Sequence, residues 1–325
     1  MEMLTKLKNW RWRRQLQSSS VKAILADADV NPIRPHQHDF ANADTQAADK
    51  PQLDPIPTVS VVLGSFNRMG LIQPAIDSIR GDLAQIPHEI IVVDGGSDDG
   101  SLEWLVRQGD IITLVQHNRY THEGQARRKM SWGRFMNMGF RAAVGKYVMM
   151  VSDDCYLLPG STSAAIQRIE EVQDQGLRVG ACAFYFRDWP VDDRYFVQRT
   201  FGGNLMLNHG LYTREALQEV GFCEEEEFVF YKADSDLSLR IWQAGFAIID
   251  SEASICEHYV GNNAGNNEIR AGNNATLDWD RNLLRSRWDY MLGDQAVEKM
   301  GRVYLEAEPS NAINQIWGNP VESSS

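Results

Sequence analysis

An α/β fold with a mostly parallel sheet flanked by helices is what the patterning of this chain predicts, and three observations carry that expectation. From Pro57 onward, β-branched apolar runs alternate with segments of helical periodicity, the pattern that builds parallel sheets with right-handed crossovers. Two of those runs, residues 89–93 and 147–151, end in acid-rich stretches, Asp94-Gly95-Gly96-Ser97-Asp98-Asp99-Gly100 and Ser152-Asp153-Asp154. Parallel strands bring such ends to one edge of a sheet, where open α/β folds bind ligands. Finally, 325 residues with a 43% hydrophobic share supply the core of one large domain or two modest ones.

The elements follow in order. Residues 1–20 set Lys6, Lys8, Arg11, Arg13 and Arg14 against Glu2, with Leu4, Leu7 and Trp10 at helical spacing. Over residues 1–16 that pattern permits a basic amphipathic helix on an anionic membrane surface, but a frayed, solvated terminal helix or a protein contact is the plainer reading. Residues 21–56, rich in Asp, Ala, Gln and Pro, read as an extended linker. The folded domain is expected over 57–260. Residues 58–63 form its first strand, followed by the loop Gly64-Ser65-Phe66-Asn67-Arg68. Leu71, Ile72, Ala75, Ile76 and Ile79 predict a helix over 71–83. A buried strand at 89–93, a helix from 101 and a third strand at 111–115 come next. A helix over 133–144 presents Phe135, Met138, Ala142 and Ala143, then leads into 147–151, a run apolar enough for a strand buried on both faces.

Further along, residues 208–217 are expected to enter a helix stopped by Gly221. A second helix is expected over 235–244, directly after Asp234, with Leu237, Leu239, Ile241 and Trp242 on its packed side. Glu224, Glu225, Glu226 and Glu227 read as a solvated loop. The asparagine- and glycine-rich stretch after 260 suits either a lid over bound ligand or a disordered loop. Leu284, Trp288, Met291 and Leu292 predict a C-terminal helix over 277–292, ahead of a serine-rich tail.

Composition excludes several classes. A formal net charge of −12 opposes a nucleic-acid coat. Cys155, Cys182, Cys223 and Cys256 have no Cys-x-x-Cys spacing, so buried free thiols in a reducing compartment are expected. No apolar run reaches the ~18 residues of a spanning helix. The basic N-terminus has no apolar stretch after it, as a secretory signal would. A cytoplasmic protein, peripheral at the inner membrane face if residues 1–16 bind there, is the expectation.

Six pieces in order carry a resemblance. They are the run from Val59 to Arg68, the run from Ile91 to Ser101, and Asn137-Met138-Gly139 through Tyr147. Ser152-Asp153-Asp154 follows, then Tyr231-Lys232-Ala233-Asp234-Ser235-Asp236-Leu237, and finally His258. Over about residues 57–260 the chain resembles family 2 glycosyltransferases of the GT-A (Rossmann-like) fold. The N-terminal extension and the lid, helix and tail of 261–325 lie outside the likeness.

The resemblance implies an inverting, metal-dependent transfer of a sugar from a nucleotide-diphosphate sugar to a hydroxyl, in polysaccharide or glycoconjugate synthesis. It implies Asp154 as metal ligand, His258 as a further one, and Asp153 near the ribose or phosphate. The cation would be Mn²⁺ or Mg²⁺, and imidazole suits Mn²⁺ better. Asp94 would accept from the base, beside the loop of Gly64, Ser65, Phe66 and Asn67, with Phe66 stacking. Asp234 would be the general base toward a glycan, lipid-linked or protein acceptor, near a sugar-pocket wall at Phe201-Gly202-Gly203-Asn204. Asp236 would order its helix turn and pair with Arg240. Arg68 and Arg134 are expected at the surface, with phosphate contact as the other reading. Two departures stand out: Ser152 replaces the first acid of the usual Asp-x-Asp, and Ala233 replaces the Glu before the base. They keep open a catalytically inactive sugar-nucleotide-binding scaffold. A sugar-phosphate nucleotidyltransferase would need a glycine-rich basic loop after the first strand, which residues 64–68 do not form.

Overall fold

The computed structural model describes residues 56–118, 121–122, 125–126, 130–261, 273–291 and 301–317. The basic segment at 1–20, nearly all of the linker and the body of the expected lid, residues 262–272, lie outside them. The elements are β1 (Val59–Ser65), α1 (Met69–Asp82), β2 (His88–Asp94), α2 (Ser101–Leu105), β3 (Ile111–Val115) and a short β4–β5 ribbon (Thr121–His122 with Gln125–Ala126). Then come α3 (Trp132–Ala142), β6 (Tyr147–Met150), β7 (Cys155–Leu157), α4 (Ser161–Asp174), β8 (Val179–Trp189) and β9 (Phe196–Arg199). The described chain finishes with β10 (Gly210–Thr213), α5 (Arg214–Glu219), α6 (Ala233–Gln243), β11 (Ala247–Tyr259), α7 (Leu277–Trp288), β12 (Gly301–Tyr304) and α8 (Ala312–Trp317).

The main sheet runs β12-β9-β8-β10-β6-β1-β2-β3, with β11 beside β8 and β7 on β11. β3, β2, β1 and β6 are mutually parallel, which sends the ends of β1, β2 and β6 to one edge. β10 runs antiparallel to β6, Gly210 pairing with Met150, so the residues just before β10 arrive at that same edge. Strand alternation sorts the core into two layers. Val59, Val61 and Leu63 pack with Ile72, Ile76 and Ile79 of α1 and Ile169 of α4. Val62 turns the other way, onto Phe135 and Phe140 of α3, Leu217 of α5 and Ile241 of α6. This period-2 sorting is why β-branched runs buried on both faces make the centre of the sheet.

Two expectations change. Residues 208–217 are not one approach to a helix: β10 intervenes, buried along its whole length, and α5 begins only at Arg214. A four-residue apolar run has no periodicity of its own, and its pairing with β6 and β8 decides its state. Asp234 does not precede its helix. α6 starts at Ala233, with Lys232 as N-cap in the left-handed region at φ 68°, so Asp234 lies within the first turn. The helix over 277–288 does pack back on the domain, burying Leu284 and Trp288 against Phe228 and Leu239. All four cysteines are buried and unpaired.

Candidate active site

Asp153 and Asp154 follow β6 and are 7% and 6% exposed. Arg68, the N-cap of α1, reaches them from the loop after β1. Its Nη1 donates to Asp154 Oδ2 at 2.7 Å and lies 3.8 Å from Asp153 Oδ1. Arg68 is therefore a site residue and not a solvated one, whereas Arg134 is exposed as expected. The other oxygen of Asp154, Oδ1, is buried without a hydrogen-bond partner, and His258 Nε2 stands 3.6 Å from it. Strand pairing produces that approach: His258 of β11 sits opposite Cys155 of β7, and the Tyr259 N–H donates to the Asp154 carbonyl at 2.9 Å. On its far side His258 Nδ1 meets Asp188 Oδ1 at 2.9 Å, and Arg302 of β12 pairs with the second Asp188 oxygen at 3.2 Å.

These charges set one another's protonation. Burial pushes the Asp153 carboxyl up to about 6, with Arg68 opposing. Burial would raise Asp154 too, but His258 and Arg68 outweigh it and hold this carboxyl below its usual range. Burial disfavours the His258 imidazolium; Asp154 and the hydrogen bond to Asp188 nevertheless carry its pKa to about 9.

The donor set fits a divalent cation. Asp154 offers an unsatisfied buried oxygen, His258 an imidazole nitrogen, and Asp188 the outer carboxylate that orients a ligating histidine. Among the described residues no three His, Cys, Asp or Glu side chains gather to hold a metal. A hard cation that completes its shell with substrate phosphates needs only one or two protein ligands.

A cavity of about 350 Å³ opens on these groups. Gly64, Ser65, Phe66, Arg68, Asp153, Asp154 and His258 line it; Asn67, Asp94 and Asp234 do not. Glycine is required at position 95, where a Cβ would come within 2.8 Å of the Phe66 ring. Asp94 is fully buried behind this wall and ties the turn, accepting from the Gly96 and Ser97 N–H groups at 2.8 Å and from Ser97 Oγ at 2.7 Å. Asn67 clamps the same turn through Asp98, donating from Nδ2 at 2.7 Å and accepting the Asp98 N–H at 2.8 Å.

Asp234 reaches the cavity through one neighbour. Asn208, a lining residue just before β10, donates from Nδ2 to Asp234 Oδ2 at 3.1 Å. The Ser235 N–H takes the other carboxylate oxygen at 2.8 Å. Burial holds the Asp234 carboxyl above its ordinary range, with Lys232 pulling the other way. Asp236 behaves as expected, accepting from Arg240 Nε at 2.8 Å, and it also takes the Trp288 indole N–H. The four consecutive glutamates are not simply solvated: Glu224 caps the N–H groups of Glu226, Glu227 and Phe228, and Glu225 bonds Asn137. Sequence reading missed Asn208, Asp188 and the aromatic wall of Trp132, Phe230 and Tyr231. Of these only Tyr231 stands in a quoted motif, and there it carries no assigned role; the others are brought to the site by the strands and helices that hold or flank them.

The chain resembles several known proteins. A protein of Bacillus subtilis (strain 168) described as an uncharacterized glycosyltransferase, EpsJ, is 31% identical over 178 residues, covering 54% of this chain and 46% of its own. The GalNAc(5)-diNAcBac-PP-undecaprenol beta-1,3-glucosyltransferase of Campylobacter jejuni subsp. jejuni serotype O:2 is 25% identical over 206 residues, covering 55% of this chain and 63% of its own. The chain thus spans about half to under two thirds of the length of these curated relatives. Among solved structures, S. aureus TarS 1-349 matches at 16% identity and a TM-score of 0.48, over 62% of this chain and 60% of that one. The mannosyltransferase PcManGT from Pyrobaculum calidifontis, in complex with GDP-Man and Mn²⁺, matches at 18% and 0.45, over 64% and 58%. The family described as "Glycosyl transferase family 2" matches residues 60–233, more than half of the chain, which therefore belongs to that family.

Proposed function

We propose that this glycosyltransferase takes its sugar from a nucleoside-diphosphate donor and transfers it to a hydroxyl with inversion, using a divalent cation at Asp154 and His258 and Asp234 as base. The observation that carries this reading is a single cavity lined both by Asp154, with its unsatisfied oxygen beside His258, and by Asn208, which holds Asp234.

In this reading Gly64, Ser65 and Phe66 receive the nucleoside, and Asp94 shapes the pocket by holding the turn of Gly95 and Gly96. Arg68 and the Ser152 end of β6 face the diphosphate, with Asp153 beside it near the ribose. A bound cation would neutralise charge developing on the departing diphosphate. Asp188 keeps His258 turned toward Asp154. Asp234 takes the acceptor proton; its raised pKa makes it a stronger base than an ordinary carboxylate. Asn208 orients that carboxylate while water is excluded by Trp132, Phe230 and Tyr231. A single base opposite the leaving group yields inversion at the anomeric carbon.

The Campylobacter jejuni relative is named for a PP-undecaprenol-linked substrate, which makes lipid-linked glycans the first acceptors to try, ahead of free glycans and protein hydroxyls. Such a role in polysaccharide or glycoconjugate assembly would suit a cytoplasmic enzyme whose residues 1–16 touch the membrane. The test is release of nucleoside diphosphate from a panel of nucleotide sugars, with Mn²⁺ or with EDTA, and NMR of the product anomer. The expected result is cation-dependent transfer to the opposite anomer. Nucleotide binding without turnover would mark a binding protein, and unchanged turnover in both Asp154→Ala and Asp234→Ala would refute the assignment.

A further inference from the structure

Ser152, the position where this chain lacks an acid, lines the same cavity as a cation, Arg68. Arg68 is brought there by its place at the start of α1, and its side chain is only 22% exposed. The bond from Nη1 to Asp154 Oδ2, at 2.7 Å, is a charge-assisted one between partly buried groups. It therefore takes one of the two oxygens of the very carboxylate read as the metal ligand. The same nitrogen lies 3.8 Å from Asp153 Oδ1, so one guanidinium offsets charge on both acids. Among the described residues, Nη1 is the only nitrogen of this guanidinium with a hydrogen-bonded protein partner. Its Nε and Nη2 remain as donors of the planar, forked kind that suits phosphate oxygens.

Resting on the reading above, we propose that Arg68 is a built-in counter-ion of the donor site. It occupies Asp154 while the site holds no nucleotide, weakens binding of a divalent cation there, and turns to the diphosphate when cation and nucleotide arrive together. Two consequences follow from charge alone. With Ser152 neutral and Arg68 cationic, the pair Asp153–Asp154 offers a lone divalent ion less negative charge than two acids without such a partner. A diphosphate restores that charge and gives the guanidinium another anion. Cation binding should then depend on nucleotide more steeply than a site of bare carboxylates would allow. Arg68 is here a binding residue for the donor and a positioning residue for Asp154.

The experiment uses the full chain and two probes, Mn²⁺ followed by the EPR signal of the free ion and UDP followed by calorimetry. For Arg68→Gln, Mn²⁺ without nucleotide should bind about tenfold more tightly than to the wild type, the scale of one charge-assisted hydrogen bond. UDP without Mn²⁺ should bind about tenfold more weakly, and the gain in Mn²⁺ affinity caused by UDP should shrink. Arg68→Lys, which keeps the charge, should leave Mn²⁺ affinity near that of the wild type and serves as a check on folding. Unchanged or weaker Mn²⁺ binding in a folded Arg68→Gln variant would overturn the counter-ion role. If neither UDP nor, in its place, GDP, dTDP, ADP or CDP bound either protein under any condition, the donor-site reading itself would fall, and with it this proposal.

Discussion

The two walls of the cavity are built on opposite electrostatic plans. On one, Asp153, Asp154, Arg68, His258, Asp188 and Arg302 form a continuous chain of charge-to-charge contacts. On the other, the Asp234 side chain is held by the neutral Asn208 amide and the Ser235 N–H. Burial acts on both, yet Asp154 is held below the usual carboxylate range and Asp234 above it. The difference teaches where each acid is useful. A carboxylate crowded by cations stays ionised and can hold a metal or phosphate partner, while one left among dipoles keeps its affinity for a proton.

The largest effect should come from the lone acid. Asp234→Asn removes the proposed base with little change in volume, and kcat should fall by about 10² to 10⁴ while donor affinity by calorimetry stays near the wild type. An equal fall in donor affinity would dissolve the contrast between the walls. Asp154→Asn should cost about 10² to 10³ in kcat/KM, with cation dependence lost, since it removes the proposed electrostatic anchor of the leaving group. The charged wall also predicts a pH dependence whose sign is set by His258. Its folded pKa of about 9 lies above the ordinary 6.5, so below pH 9 the cation-free site carries that proton. A cation taking Nε2 must expel it. Mn²⁺ affinity should therefore rise by about tenfold per pH unit toward 9 and level off above, with one proton released per ion. His258→Gln should flatten the slope; a slope that survives would remove His258 from the ligand set. Smallest, Asp188→Asn should lower Mn²⁺ affinity by about tenfold through loss of the carboxylate that orients His258, leaving UDP affinity without Mn²⁺ unchanged.

How much of this was legible beforehand differs between the same two walls. The strand-then-acid pattern at Asp94 and at Asp153–Asp154 was readable because each acid directly follows a buried run whose parallel partners must end on one edge. Asp234 was readable from its motif, but its place inside the helix turn depended on Lys232 adopting a left-handed cap. β8 and β11 were not read. β11 is interrupted by Asp250, Ser251 and Glu252 and shifts register between Ser251 and Ile255, and its long parallel pairing with β8 sustains it. Asp188 meets His258 only across that pairing, 70 residues away in the chain. Arg68 looked like a surface cation because its partner lies 86 residues downstream.

From the order of residues alone came the α/β architecture, the edge that gathers the acids, the family likeness and the ionisable groups at Asp154, Asp234 and His258. Those are local properties: hydrophobic period, turn chemistry and motif order are written within a few neighbouring positions. The tertiary structure decided which charges neutralise which. It set Arg68 on Asp154, stood Asp188 behind His258 and brought the Asn208 amide to Asp234, because Coulomb and hydrogen-bond energies depend on separations in space that no spacing along the chain encodes.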